Sequence, residues 1–180
     1  MSNNRFKVGV AGAGVMGSGI TQVMALAGCE VSCCDIDDEV INVALTNVDN
    51  GRFGVKSAAD RGMISEEEGE RALKRMHFTT EMDALNDADL VIEAIPERLD
   101  LKVSFWKELD KRALEKTIFA SNSSGFPISA MAAATERADR FIGWHWASPA
   151  PVMKLAEIVK GRETSVETVE TVLSLAKSAG

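Results

Sequence analysis

The chain has 180 residues, 46% of them hydrophobic, which is enough for one substantial globular domain. Its formal net charge of −7 argues against a nucleic-acid binder that works by broad phosphate neutralisation. No run reaches the ~20 apolar residues of a membrane span, and the start, MSNNRFKVGV, carries no signal-peptide core, so a cytoplasmic protein is expected.

The first element is a short buried strand through Phe6, Val8, Val10 and Ala11, closing on Gly12-Ala13-Gly14-Val15-Met16-Gly17. Val15, Met16, Ile20, Val23, Met24 and Ala27 then recur at helical spacing. A second strand over 30–34 ends at Asp35, near the ~20 residues expected beyond the glycines of a dinucleotide fold. Each part has a physical task. Gly12 permits the tight turn, Gly14 admits a pyrophosphate to the backbone, and Gly17 lets helix and strand approach. The helix N-terminus faces the phosphates with unpaired amides. Asp35 can accept from a ribose 2′-hydroxyl and would repel a 2′-phosphate, so NAD is the expected cofactor. Cys29, Cys33 and Cys34 form no C-x-x-C pair, and Cys33 and Cys34 fall in this second strand, as reduced structural thiols would.

A polar helix is predicted over about 38–62, and Ser65 then caps a second one running to about 75 through Glu66, Glu67 and Glu68. Together they read as a helical hairpin inserted between strands. Strands follow at 78–80 and 88–95, a helix at 99–114 and a strand at 116–121. Further strands are predicted at 140–146 and 154–159, then an amphipathic helix at 163–179. This alternation argues for an α/β fold, a Rossmann-type doubly wound and mostly parallel sheet with helices on both faces.

Two further stretches carry chemistry. Ser121-Asn122-Ser123-Ser124 falls at the carboxyl end of a strand, where open parallel sheets bind ligands. The same residue types also serve an ordinary capped turn, and composition leaves the two readings level. His145 ends a strand, and Glu157 lies inside the apolar run 155–159, where a carboxylate is costly unless paired or at an edge. The loop through Pro149 and Pro151 can set these runs side by side, making a His–Glu general base. With only His77 and His145 present, far apart, no metal-ligand cluster is expected.

Gly12 to Gly17, Asp35, DLVIEAIPERLDLK, FASNSSGFPI and RFIGWHWASPAPVMKLAEIV stand in the order seen in L-3-hydroxyacyl-CoA dehydrogenases, which the chain resembles over nearly its whole length. The resemblance implies NAD-dependent oxidation of the 3-hydroxyl of an L-3-hydroxyacyl-CoA, as in fatty acid β-oxidation. It makes His145 the catalytic base, Glu157 its carboxylate partner and Ser124 the donor to the substrate oxygen. It implies cofactor contacts from Gly12, Gly14, Val15, Met16, Gly17 and Asp35, and from Glu97 and Lys102 toward the ribose and nicotinamide. Ser148 stands where the family has an asparagine that contacts the cofactor, and Gly125-Phe126 replaces its usual Ser-Leu. With Trp144 and Trp146 beside the base, these departures can reshape the acyl pocket, or the aromatics can be plain packing.

The resemblance also implies that these 180 residues are the NAD-binding domain. The family's helical C-terminal domain, which closes the acyl-CoA cleft and makes most of a homodimer interface, is expected to lie outside them. Two alternatives stay open: a non-catalytic NAD(H)-binding regulatory module, and a related hydroxy-acid dehydrogenase of the L-gulonate or carnitine type.

Overall fold

The computed structural model describes residues 5–153 and 155–180. Seven strands, β1 (Lys7–Ala11), β2 (Glu30–Cys34), β3 (Met76–Thr79), β4 (Leu90–Glu93), β5 (Ile118–Ser121), β6 (Phe141–Trp146) and β7 (Ala156–Lys160), form one sheet in the order β3-β2-β1-β4-β5-β6-β7. The pairs from β3 to β6 are parallel, and β7 runs antiparallel to β6. This is the doubly wound order, whose direction of winding reverses between β1 and β4. The crevice at the carboxyl ends of those two strands is therefore the place where a ligand fits.

The strands are apolar on both sides because both faces are covered. Leu90 and Ile92 of β4 join Val8, Val10, Ile142 and Trp144 on one face, under α1 (Val15–Leu26), α2 (Asp38–Asn50) and α7 (Val166–Ala179). The alternate residues Val91, Phe119 and Phe141 face the other way, against Trp106 and Leu109 of α5 (Leu99–Asp110) and Met131 of α6 (Ile128–Ala132). Trp106 is fully buried and stacks on Phe119 with ring centroids 4.8 Å apart. Fully burying one such apolar side chain contributes on the order of 1.5–3 kcal/mol, so this face depends heavily on Trp106.

Several elements depart from the sequence expectation, most by two or three residues at an end, as β3 does in covering 76–79 rather than 78–80. The helix expected over 38–62 is two helices, α2 and α3 (Val55–Asp60). Gly51 leaves the helix at ψ 166°, and a side chain there would meet the Asn47 carbonyl oxygen at 2.4 Å. The hairpin proper is α3 with α4 (Glu66–Leu73), whose capping box joins Ser65 and Glu68 as the sequence suggested. Helix α5 stops at Asp110 rather than running to 114, because Arg137 takes its end: the guanidinium binds the Asp110 carboxylate at 2.6 Å and the Asp110 carbonyl at 3.0 Å. Strand β7 begins at Ala156, and the expected strand residue Lys154 lies outside the described residues.

All three cysteines are buried and free. Among the described residues no helix is long and apolar enough to cross a membrane, and no His/Cys/Asp/Glu cluster could hold a metal ion.

Candidate functional site

At the end of β1 the backbone turns at Gly12 with φ +94°, a conformation that favours glycine. A Cβ on Gly17 would lie 1.7 Å from the Gly12 carbonyl oxygen, so the first turn of α1 packs directly on the loop. Gly14 is different: a Cβ there would meet nothing within 4 Å. The outer face of the loop is thus open, and α1 starts with neither a side-chain cap nor an acid in its first turn. Its leading N–H groups are left for an anion. Val15 is exposed beside them, and Met16 reaches into the neighbouring cavity.

Asp35 follows β2 directly, half-buried, and its Oδ2 accepts the Ala13 N–H at 2.7 Å. The carboxylate thus braces the glycine loop with one oxygen and leaves Oδ1 for a ligand hydroxyl. An open glycine loop, an uncapped helix and a carboxylate at the next strand end fit the diphosphate and ribose of a dinucleotide.

A cavity of about 440 Å³ lies beside this loop, lined by Met16, Glu97, Asn122, Ser124, His145 and Ser148 among others. His145 and Glu157 are directly opposite each other in the β6–β7 ladder, with Nδ1 2.8 Å from Oε2. If the pair is read as a hydrogen bond to a carboxylate, Nδ1 carries the proton and Nε2 is left with a free lone pair. Glu157 sits on the last strand of the sheet and is 66% exposed, so edge position and pairing together remove the burial cost its apolar neighbours suggested.

The serine segment is a structured turn, with Glu97 at its centre. Its Oε1 accepts the N–H groups of Ser124 at 3.2 Å and Gly125 at 3.1 Å, and also the Ser123 hydroxyl. Partial burial pushes the Glu97 carboxyl up, but hydrogen bonds from Ser123, Lys102 and Gly125 outweigh it and hold the carboxyl below its ordinary range. Ser124 is exposed with its side chain unspent, whereas Ser121 and Ser123 are buried and used internally. Ser148 is exposed on the cavity rim.

Lys102 is only 1% exposed and lies beneath this turn, paired with Glu93 and with Glu97 Oε2 at 3.1 Å. Burial raises the carboxyl of Glu93 above its ordinary range, and the Lys102 ammonium only partly offsets this. Sequence reading missed Glu93, whose place inside the apolar strand run gave no sign of a partner nine residues on. It also left Asn122 without a task. Its Oδ1 accepts the Trp146 N–H at 2.8 Å, tying the end of β5 to the residue beside the histidine. The two tryptophans divide: Trp144 is core, while Trp146, with its ring 4.9 Å from Trp144, also lines the cavity.

With this geometry in place, the chain can be compared with known proteins. Residues 7–180 match the family model described as 3-hydroxyacyl-CoA dehydrogenase, NAD binding domain. The chain is 39% identical over 171 residues to a probable 3-hydroxybutyryl-CoA dehydrogenase of Bacillus subtilis, covering 95% of this chain and 58% of that protein. It is 38% identical over 176 residues to the mitochondrial hydroxyacyl-coenzyme A dehydrogenase of Sus scrofa, covering 96% and 56%. Among solved structures, 3-hydroxybutyryl-CoA dehydrogenase from Escherichia coli K12 superposes with a TM-score of 0.93 at 39% identity, covering 98% of this chain and 37% of that one. The (S)-3-hydroxybutyryl-CoA dehydrogenase of Ralstonia eutropha gives 0.92 at 38%, covering 98% and 62%. The chain thus spans about half the length of the curated relatives it matches.

Proposed function

The chain belongs to the 3-hydroxyacyl-CoA dehydrogenase family, whose NAD-binding domain it matches, and from that premise we propose that it is the cofactor and catalytic-base part of an enzyme oxidising the 3-hydroxyl of an L-3-hydroxyacyl-CoA. The observation that carries this reading is the His145–Glu157 pair beside the cavity that Ser124 also lines. A chain that only held a dinucleotide would have no use for a buttressed imidazole there.

In this reading Gly12, Gly14, Val15, Met16 and Gly17 hold the diphosphate, Asp35 holds the adenosine ribose, and Glu97 holds the second ribose. Ser148 stands at the rim as a further cofactor contact. NAD bound by these residues would supply the acceptor for the hydride leaving C3. Ser124 donates to the substrate oxygen, and His145 Nε2 takes the hydroxyl proton, returning it in the reverse direction. Glu157 fixes the ring orientation through Nδ1 and stabilises the imidazolium that forms. Trp146, which lines the cavity beside His145, shapes where the chain of the substrate lies.

The remaining length of the relatives is where we place the rest of the acyl-CoA cleft and the contact that makes a homodimer. The 180 residues then form the NAD-binding domain, with α3 and α4 as its inserted hairpin, in a cytoplasmic protein. Turnover of acetoacetyl-CoA with NADH, alongside NADH binding, tests the reading. The chain should bind NADH and reduce acetoacetyl-CoA slowly, and His145→Gln should abolish the slow reaction without changing NADH affinity. Absence of NADH binding, or undiminished turnover in His145→Gln, would overturn it.

A further inference from the structure

We propose that Glu93 is a positioning residue for the cofactor site, holding Glu97 and the serine turn in place from beneath through Lys102 and Ser121. The inference rests on the reading of this cavity as the NAD site.

An ammonium has three N–H groups to give. Those of Lys102 have three protein acceptors within reach: Glu93 Oε1, Glu97 Oε2 at 3.1 Å and the Ile95 carbonyl at 3.3 Å. Lys102 borders the cavity, but its side chain is 1% exposed and these acceptors surround its ammonium. Its effect on the cofactor therefore passes through Glu97, whose side chain is 42% exposed and lines the cavity. Glu93, in turn, is completely buried at the carboxyl end of β4, next to β1, where the sheet reverses its winding. One of its oxygens accepts from Lys102 and from the Ile95 N–H at 3.0 Å, and the other accepts the Ser121 hydroxyl at 2.7 Å. Ser121 Oγ then accepts the Ser123 N–H at 3.2 Å. Each of these partners donates to Glu93, which works against the burial that raises its carboxyl.

The result is a two-armed brace. One arm runs Glu93–Lys102–Glu97, and the other runs Glu93–Ser121–Ser123. They meet at the turn, because Glu97 Oε1 binds Ser123, Ser124 and Gly125. Stability alone is a poor account of such a pair, since two apolar side chains filling the same space are often as stabilising as a buried salt bridge. Fixing one exposed carboxylate and one exposed serine relative to each other is something an apolar pair cannot do.

The test compares Glu93→Gln and the double variant Glu93→Gln/Lys102→Met with the wild-type chain. Urea unfolding is measured beside affinity for NADH and for ADP, which carries the adenosine and diphosphate of the cofactor but neither the second ribose nor the nicotinamide. Glu93→Gln should weaken NADH about tenfold through misplacement of Glu97 while leaving ADP unchanged. The double variant, with no buried charge left unpaired, should regain the unfolding midpoint but not the NADH affinity. It also carries the NADH-against-ADP comparison if Glu93→Gln does not fold. NADH affinity that returns together with stability, or ADP affinity that falls in parallel with NADH, would make the pair a structural one and overturn the proposal. Binding of neither nucleotide by the wild-type chain would overturn the cofactor reading itself, so the two failures are distinguishable.

Discussion

The α-carbon of Gly17 faces the carbonyl of Gly12 so closely that a methyl group would sit 1.7 Å from its oxygen, while the same methyl on Gly14 would touch nothing. Two glycines of one loop therefore have opposite reasons to be glycine. Gly17→Ala should lower stability by about 3 kcal/mol or prevent folding, because backbone rather than a flexible side chain must move. Gly14→Ala should fold with a midpoint within about 1 kcal/mol of wild type, its backbone being extended, yet lose NADH affinity at least about tenfold. Thermal unfolding and NADH fluorescence titration separate the two. Equal effects of both substitutions would contradict the assignment of Gly14 to a phosphate.

The Asp35 carboxylate, tied to Ala13 through Oδ2, should make the chain prefer NADH to NADPH by at least about tenfold. Asp37 and Asp38 add charge of the same sign nearby. Asp35→Asn keeps an acceptor for Ala13 but removes the charge, so it should narrow the NADH-to-NADPH ratio without unfolding the loop. Comparative titration reads the ratio, and a wild-type chain that bound NADPH as tightly would show that Asp35 does not face the 2′-position.

In a full-length enzyme carrying this domain, His145→Gln should lower kcat by about 10²–10⁴-fold with little change in NADH affinity. Glu157→Gln keeps the shape of the cross-strand pair but removes the charge opposite the imidazole, and should also lower kcat. The double variant should be little slower than His145→Gln alone, because the two act as one unit. Fully additive losses in steady-state kinetics would show that they do not.

The cysteines make a pH-dependent prediction. Burial pushes the Cys33 thiol up to about 12 and that of Cys34 up to about 11, from an ordinary 9.0. Above the unfolded value the unfolded chain loses thiol protons that the native chain retains. The thiols' contribution is therefore complete below pH ~9 and is lost as pH rises toward ~11–12. Denaturant midpoints measured from pH 8 upward should fall in that window, and less steeply in Cys33→Ala. At pH 8 the native thiols should react with DTNB far more slowly than in urea. Rapid labelling of Cys33 in the folded chain would contradict its burial.

Much of this site was legible in the sequence because its signals are local. The glycine spacing, the strand before it and Asp35 after it are fixed by neighbours in the chain, so each could be read and each is found where expected. The Ser65–Glu68 capping box was legible for the same reason. Even the His145–Glu157 contact could be anticipated, since a short proline-containing connection between two apolar runs constrains them to lie near each other.

What the sequence could not determine were interactions that depend on where distant segments meet. Helix α5 was read too long because its stop is imposed by Arg137, 27 residues from Asp110, and no local residue announces it. The helix over 38–62 was read as one because glycine is only a weak breaker in sequence, although the contact that Gly51 makes, with the Asn47 carbonyl one turn back, is local. Lys102 was assigned to the cofactor through the family resemblance, and nothing along the chain announced the partners it has in the fold. Only the folded sheet brings Glu93, Glu97 and the Ile95 carbonyl together around its ammonium. The sequence by itself determined the parallel fold, the glycine loop and the identity of the titratable groups, through residue spacing along single elements. The tertiary structure decided which of those groups face the cavity and which serve as their support, because a buried hydrogen-bond partner is chosen by packing between strands and not by distance along the chain.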